Sequence, residues 1–351
     1  MAIEDLLRSQ GVPDDAIEQA RQRGDGEMDA LAVEQVLGLG LRQYTRGQAA
    51  AAAGVDPAVA QRLWRALGFA DVSDEAAVFT DADVLMLQGV QSLVDEGIAD
   101  LDSALQLARV MGQSLSRIAD AQAQFLRRRL VDELRRSGAD DDQLAEAVIG
   151  MSGRLIPVLE RFQSYVWRRH LADASERAAA VWRKPTGQED IIAVGFADLV
   201  GFTAVSQELE DDELGHLLER FETISYEVVA SCSGRIIKLI GDEVMFVAAS
   251  AGAAARIGLE LAARVTADES LPDVRVGLTY GPVVNREGDI FGATVNRASR
   301  IVNVARPGSV VVDDAVKEAL GEEDDLRLRT IRPRNLRGIG RTHLYVLRVP
   351  S

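Results

Sequence analysis

The sequence predicts two parts of different fold class, an all-α N-terminal part followed by an α/β part, and three observations support this division. Apolar residues recur at helical spacing through most of residues 1–168. From residue 190 onward, short runs rich in isoleucine and valine alternate with helical stretches. Residues 169–189 continue as a helix and then reach a Lys-Pro-Thr-Gly break, which predicts a linker between the two parts.

Composition limits the class of protein. The 351 residues are 47% hydrophobic, which is enough for two domains with their own cores. Acidic residues outnumber basic ones by 55 to 39, and since nucleic-acid binding depends on cations, we expect no nucleic-acid partner. No apolar run approaches the roughly 20 residues of a membrane span, and the acidic start is unlike a signal peptide. We therefore expect a cytoplasmic protein without a membrane span.

Start and stop signals delimit the helices of the first part. Gly24 and Gly54 each follow a helical stretch, where glycine commonly ends a helix. Residues that favour helix starts precede four stretches; they are Pro13, Thr45, Asp56 and, for the last, either Thr80 or Asp81. These signals predict short, well-capped helices before the longer helical stretch that begins near residue 101.

The two short helices around Gly54 raise a second interpretation, because they loosely resemble the helix-turn-helix of MerR-type regulators. The alternative is a compact helical domain that uses the same turn without contacting DNA. The second helix offers few cations beyond Arg62 and Arg65, whereas a recognition helix contacts phosphates and bases. The sequence therefore favours the compact helical domain.

Strands and helices alternate in the second part. We expect strands at 191–200 and 273–284, a β-hairpin at 235–248, and helices at 211–231, 251–268 and 292–305. Antiparallel strands combined with long helices are typical of a sheet with helices packed on it.

Two carboxylates stand where strands of this part end. Asp198 ends the strand in "FADLVGFT", and Asp242 lies at the hairpin tip of "RIIKLIGDEVMFVA". A Gly-Asp pair at a hairpin tip usually marks only a turn, so Asp242 alone leaves its role open. Magnesium and manganese prefer oxygen ligands, and a few carboxylates together with substrate phosphates suffice to bind them. The pair therefore favours a metal site.

Polar residues near these carboxylates suit a phosphate. The turn after Asp198 exposes successive N–H groups before a helix and can accommodate phosphate oxygens; it contains Gly201, Phe202 and Thr203. Asn296 and Arg300 are four residues apart in a helical stretch and so share one face, where they could contact a transferring phosphate. Lys238, inside the hairpin, requires an acidic partner or an anionic surface.

Three blocks, "FADLVGFT", "KLIGDEVMF" and "DIFGATVNRASR", resemble in order the signature blocks of class III adenylate cyclases. A diguanylate cyclase would read Gly-Gly-Asp/Glu-Glu-Phe at the hairpin tip, whereas here Ile240 precedes Gly241 and Val244 follows Glu243. The resemblance covers about residues 190–350 and implies a ferredoxin-like βαββαβ catalytic domain at 190–351.

The resemblance also implies a reaction and its residues. Asp198, Asp242 and Leu199 would hold two divalent cations, Mg²⁺ or Mn²⁺, so that the ribose 3′-hydroxyl of ATP attacks the α-phosphate in line and pyrophosphate leaves. Asn296 would orient the ribose, and Arg300 would stabilise charge on the α-phosphate. The residues implied to bind the rest of the substrate are Gly201, Phe202 and Thr203 for the phosphates, and Lys238 and Asp289 for the adenine edge.

One position departs from the family pattern. Many relatives place a triphosphate-binding lysine near the C-terminus, whereas this chain has "NLRGIGR", which offers Arg337 and, as an alternative, Arg341. The charge is kept, but a guanidinium differs in geometry from an ammonium.

The resemblance further implies a homodimer with active sites at the subunit interface, and a regulatory, autoinhibitory role for residues 1–168. His170, in the linker 169–189, is either a pH-responsive regulatory residue or a solvated histidine on a charged helix. A different class of function stays open: a helix-turn-helix regulator that uses a cyclase-like domain as a nucleotide sensor. Such a sensor should have lost some of the catalytic set, and this chain has lost none.

Overall fold

The computed structural model of the chain describes residues 3–9, 11–24, 26–182, 190–321 and 325–350. Contacts divide the chain into two compact units, residues 1–178 and 179–351. The predicted linker at 169–189 is helical as far as Trp182, and this helix continues without interruption from the preceding residues. The Lys-Pro-Thr-Gly break lies outside the described residues.

The first unit is helical. Its helices are α1 (Ile3–Ser9), α2 (Asp14–Arg23), α3 (Glu27–Val36), α4 (Arg46–Ala53), α5 (Pro57–Leu67), α6 (Asp81–Asp95), α7 (Leu101–Leu126), α8 (Asp132–Arg136) and α9 (Asp141–Trp182), with a π-helical turn at Arg127–Val131. Thr45 caps α4 by accepting from the N–H of Gln48 at 3.3 Å, and Asp56 caps α5 by accepting from the N–H of Ala58 at 2.7 Å. The predicted starts of both helices are thus correct.

Helices α4 to α7 enclose a core around Leu63, Leu87 and Leu105. The turn between α4 and α5 has Gly54 in the left-handed conformation, as in a helix-turn-helix. Both cations of α5 are, however, paired with carboxylates: Arg62 with Asp102 at 3.3 Å and Arg65 with Asp71 at 2.7 Å. This pairing agrees with the compact helical domain that the sequence favours.

The second unit is an eight-stranded mixed sheet with helices on both faces. The strands are β1 (Asp190–Leu199), β2 (Arg235–Ile240), β3 (Glu243–Ala248), β4 (Val274–Arg286), β5 (Asp289–Phe291), β6 (Val310–Asp313), β7 (Arg327–Leu336) and β8 (Gly340–Arg348). The helices are α10 (Phe202–Glu208), α11 (Asp211–Ser231), α12 (Ala251–Thr266), α13 (Ala293–Val302) and α14 (Asp314–Leu320).

The sheet confirms the predicted ferredoxin-like arrangement. The order is β2-β3-β1-β4-β6-β8-β7, and β2, β3, β1 and β4 pair antiparallel, with α11 and α12 as the two crossovers. Strand β6, parallel to β4, and the hairpin of β7 and β8 extend this βαββαβ unit. These three strands, the short β5 and helix α14 were not predicted from the sequence.

The two faces of the sheet carry different helices. Residues of β1 alternate between the faces, so that Leu199 packs in the core under α11 and α12, whereas Val194 and Phe196 pack on the side of α13. Helix α13 lies directly on β4, because a Cβ at Gly277 would overlap the main-chain nitrogen of Val302. By the same alternation Asp198 belongs to the α13 face.

Candidate active site

The ends of β1 and β3 bring the two predicted metal-binding carboxylates to one end of the sheet. Asp198 is in register with Glu243, the residue after Asp242. The N–H of Leu199 donates to the main-chain oxygen of Asp242 at 3.2 Å, which ties the hairpin tip to the end of β1. The carboxylates that the sequence places 44 positions apart are therefore neighbours in the fold.

Arg275 on β4 completes this cluster. It lies opposite Asp198 in the antiparallel pairing of β1 and β4. Its Nη2 is 2.5 Å and its Nε 2.6 Å from Asp198 Oδ2, and both side chains are largely shielded from solvent. Arg275 was not predicted from the sequence, because its contact with Asp198, 77 positions away, depends on the register between two strands. The alternation in "DVRVGL", which sends Arg275 to the face opposite Val274 and Val276, is the signal that could have found it.

The cluster carries more negative than positive charge. Burial, together with the neighbouring charges of Asp198 and Asp242, raises the pKa of Glu243 to about 7. Burial and the charge of Asp198 also raise the pKa of Asp242, although Arg275 opposes the rise. A divalent cation would neutralise this excess, so the donor set suits one.

The residues present fit hard divalent cations only if the substrate supplies further ligands. Among the described residues, no group of three or more His, Cys, Asp or Glu is placed to hold a metal. Two carboxylates plus phosphate oxygens are nevertheless sufficient for Mg²⁺ or Mn²⁺. The side chain of Leu199 is buried in the core, so its main-chain oxygen is the only ligand it can offer.

The predicted phosphate turn follows directly. Gly201 adopts a left-handed conformation with φ of 75° and precedes α10, whose first residues are Phe202 and Thr203. The first N–H groups of a helix have no partner within it and can bind phosphate oxygens. The Phe202 ring packs against the core and holds this turn in place.

Lys238 and Asp289 form an ion pair at 2.5 Å between Lys238 Nζ and Asp289 Oδ2. The pair joins β2 to β5, although β3 and β1 separate β2 from the strand that carries β5. The hairpin of β4 and β5 therefore bends over this face of the sheet. Phe291, half-exposed on the same side of β5, lies 5.9 Å from Lys238 Nζ at its ring centroid. The acidic partner expected for Lys238 is Asp289.

Helix α13 presents Asn296 and Arg300 to solvent and packs Ala298 and Ile301 inward. Within the described part of the chain, neither exposed side chain has an ion-pair or hydrogen-bond partner. Arg297, between them, instead lies 3.6 Å from buried Asp313, which is a structural contact. The helix thus holds an amide and a guanidinium free for a ligand.

Arg337 and Arg341 lie away from the cluster of carboxylates around Asp198. The turn between β7 and β8 contains Arg337, and Arg341 lies near the start of β8. Strand β6 is parallel to β4 and antiparallel to β8, so this turn is at the opposite end of the sheet from Asp198. A triphosphate bound at Asp198 and Asp242 is therefore out of reach of the same chain's Arg337.

His170 is exposed on α9 in the first unit. In the residues that the structure describes, it forms no ion pair with Asp173 or Glu176. The structure thus leaves its regulatory role as a prediction.

The predicted site residues form separate groups within one chain. Asp198 joins Asp242, Lys238 joins Asp289, and Asn296 shares a helix face with Arg300. Among the described contacts, no hydrogen bond or ion pair links one of these groups to another.

Comparisons with known proteins agree with both units. The family described as "Adenylate cyclase regulatory domain" matches residues 2–174, and that described as "Adenylate and Guanylate cyclase catalytic domain" matches residues 185–349. An adenylate cyclase of Streptomyces coelicolor is 41% identical over 291 residues, which cover 83% of this chain and 75% of that protein. A protein of Mycobacterium tuberculosis named a pH-sensitive adenylate cyclase is 35% identical over 308 residues, which cover 84% of this chain and 75% of that protein.

Proposed function

We propose that this chain, which belongs to the adenylate cyclase family, converts ATP to 3′,5′-cyclic AMP and pyrophosphate at active sites shared between two copies. Cyclase domains of this class use divalent metal ions, and for this chain the proposal is two ions per site, Mg²⁺ or Mn²⁺. The observation that carries the proposal is the meeting of Asp198 and Asp242, joined by the hydrogen bond from Leu199 N–H to the Asp242 oxygen.

The carboxylate cluster and the turn that follows β1 would bind the phosphates of the substrate. Asp198 and Asp242 would hold the cations, with the Leu199 main-chain oxygen as a further ligand. Bound cations would lower the pKa of the ribose 3′-hydroxyl and neutralise the triphosphate. The N–H groups at Gly201, Phe202 and Thr203 would bind phosphate oxygens.

The other two pairs of residues would bind the nucleoside and the α-phosphate. Asn296 would orient the ribose, and Arg300 would stabilise the charge that develops on the α-phosphate as the 3′-oxygen attacks. Lys238 would donate to adenine N1 while Asp289 accepts from the amino group. Guanine presents the opposite pattern at those positions, so the pair favours ATP over GTP.

The absence of contacts between these groups within one chain supports sharing between copies. Asn296 and Arg300 face solvent without a partner, and Arg337 lies at the end of the sheet away from Asp198. A head-to-tail pair of chains would supply Asp198 and Asp242 from one copy and the nucleoside-binding group from the other. A homodimer would then hold two complete sites.

The first unit would regulate the catalytic pair. Its match to a family described as a regulatory domain supports this assignment for residues 1–168, with 169–189 as the linker and 190–351 as the catalytic domain. The relative named as pH-sensitive supports pH as one signal, and His170 in the linker is the candidate sensor. Autoinhibition is the simplest form of such control.

The decisive experiment is incubation of the purified chain with ATP and Mn²⁺, followed by mass spectrometry of the products. We expect cyclic AMP and pyrophosphate, with much less product from GTP. Asp242→Asn, which keeps the shape and removes the charge, should lower the rate at least about 10²-fold. Absence of cyclic AMP from the parent would refute the function, and full activity of Asp242→Asn would refute only the metal assignment.

A further inference from the structure

Three exposed arginines of β7 and β8 lie side by side on one face of the sheet. Leu328 and Leu347, their neighbours in sequence, pack in the core under α11 and α12. By strand alternation Arg327, Arg329 and Arg348 therefore point to the opposite face. In the antiparallel pairing Arg327 lies directly opposite Arg348, and Arg329 is two residues further along β7. We call these three residues the arginine cluster.

The arginine cluster concentrates positive charge without a countercharge. Like charges directly opposite each other in paired strands are destabilising, and Arg327 and Arg348 are such a pair. Among the described residues none of the three arginines has an ion-pair partner, although Arg327 donates to the main-chain oxygen of Leu326 at 3.3 Å. The chain is nevertheless acidic, and in the same unit Arg220 and Arg275 each pair with a carboxylate.

Protection of the sheet edge does not account for the arginine cluster. Charged residues on an edge strand deter pairing with another chain, and β7 is an edge strand. Arg348, however, lies on β8, which pairs with both β6 and β7 and is therefore an inner strand. Pro333 and the shift in register between Ile331 and Arg334 already interrupt the exposed edge. The charge of the cluster therefore needs another explanation.

We propose that the arginine cluster binds a ligand with two or more adjacent phosphate groups. Planar guanidinium groups form paired hydrogen bonds with phosphate oxygens. Opposite residues of antiparallel strands have Cβ atoms about 5 Å apart, so Arg327 and Arg348 can contact one phosphate, and Arg329, about 7 Å along β7, the next. The negative charge of the ligand removes the repulsion between the arginines. Free polyphosphates and the headgroups of an anionic phospholipid bilayer both offer this chemistry.

The arginine cluster is distinct from the candidate active site. Strands β4 and β6 lie between β1, which carries Asp198, and β8, which carries Arg348. These three strand spacings separate the main chains of β1 and β8 by about 14 Å. Without a divalent cation the carboxylates of Asp198, Asp242 and Glu243 repel a phosphate, whereas the arginine cluster needs no metal to bind one. Binding in the absence of metal therefore distinguishes the two sites, and it does not require the proposed cyclase reaction.

Two binding measurements on the full chain, in buffer freed of divalent cations, test the proposal. Calorimetric titration with tripolyphosphate tests a free ligand, and sedimentation with phosphatidylcholine vesicles, with and without phosphatidic acid, tests a headgroup. The variant Arg329→Gln, Arg348→Gln removes two charges of the cluster, and the matched control Arg332→Gln, Arg334→Gln removes two exposed charges of β7 outside it. Binding of at least one probe should weaken at least about tenfold in the cluster variant and less than about threefold in the control.

Each result decides the proposal. The cluster variant should melt no lower than the parent, since Arg348→Gln relieves the repulsion of Arg327, so weaker binding cannot be ascribed to unfolding. Loss of tripolyphosphate binding in the cluster variant alone would support a free phosphorylated ligand, and loss of vesicle binding there alone would support a headgroup. Equal loss in both double variants would show only general electrostatic attraction and overturn the site. Binding of neither probe would also overturn it, and binding of a polyglutamate peptide instead would assign the surface to an acidic protein.

Discussion

Arg275 and Asp198 form an ion pair across neighbouring strands, with two guanidinium nitrogens 2.5 and 2.6 Å from one carboxylate oxygen. Two further carboxylates, Asp242 and Glu243, lie at the same end of the sheet. Among the described contacts, Arg275 is the cation that offsets this cluster. A metal ion bound at Asp198 would therefore share its carboxylate with a guanidinium already in place.

Arg275→Gln should destabilise the catalytic unit, because it leaves three carboxylates together without a countercharge. We expect a loss of about 2 kcal/mol without metal, seen as a fall in melting temperature of roughly 4–8 °C. Mn²⁺ should restore more stability to this variant than to the parent. Arg264→Gln, which breaks an exposed ion pair with Glu227, is the control and should change little. Equal responses of the two variants to Mn²⁺ would contradict the prediction.

Exchanging Lys238 and Asp289 should separate folding from base recognition. The double variant Lys238→Asp, Asp289→Lys keeps an ion pair and should melt close to the parent, but it reverses the donor and the acceptor that face adenine. We expect kcat/KM for ATP to fall about 10²–10³-fold. Unchanged selectivity for ATP over GTP would show that the pair does not recognise the base.

Mixing two inactive chains tests the shared sites. Asp198→Ala and Arg300→Ala each damage every site of their own homodimer, but a mixed dimer retains one intact site. With random exchange, activity should recover to roughly a quarter of the parent level. Demonstrated subunit exchange without recovery would place each active site within a single chain.

Acid should weaken the catalytic unit through Asp268. Hydrogen bonds from Ser270, followed by the Arg220 guanidinium, lower the pKa of Asp268 to about 2. A carboxyl with a folded pKa below its unfolded value stabilises the fold above about pH 4, and this stabilisation disappears as the pH falls towards about 2. Urea midpoints of the parent and Asp268→Asn should differ most above about pH 4 and converge near about pH 2. A constant difference across that range would exclude the linkage.

Removing the first unit should release activity. If residues 1–168 restrain the catalytic pair, a chain of residues 186–351 should be faster than the whole chain in at least part of the pH range. His170→Ala should alter the pH profile of the whole chain between about pH 5 and 7, where histidine changes charge. His343→Ala, an exposed histidine on β8, is the control. Overlaid profiles for His170→Ala and the parent would exclude the sensor, whereas a truncated chain no faster at any pH would exclude autoinhibition.

The helices and several strands could be predicted because local residues specify them, whereas the βαββαβ arrangement was implied by the resemblance of three sequence blocks to a known family. Thr45 and Asp56 cap helices by contacts within three residues, and the nearly continuous apolar run in "IIAVGFADLV" follows directly from burial of both faces of β1. Strands β7 and β8 were missed because arginine fills many positions of β7, which lies at the sheet edge and needs no second apolar face.

The residues of the candidate site also divide into those that sequence motifs predict and those that depend on the fold. Motifs predicted Asp198, Asp242, Asn296 and Arg300 as site residues, since each lies in a short block with its own signature. Arg275 could not be predicted from a motif, because its contact with Asp198 arises from the register of β1 against β4. With the proposed shared active sites, a contact of Arg337 or Arg341 with the triphosphate would depend on a second copy, and that geometry is not encoded in either residue's neighbourhood.

The close approach of Gly277 to Val302 limits how a signal could reach Asn296 and Arg300. Where Gly277 meets Val302, α13 rests directly on the main chain of β4, with no side chain between them in which the helix could slide or tilt. Asn296 and Arg300 therefore lie on a helix whose C-terminal end is held against β4. Under the proposed regulation, an activating signal would act by rigid-body displacement of one catalytic unit against the other, because a stimulus that only deformed α13 would meet the resistance of the core.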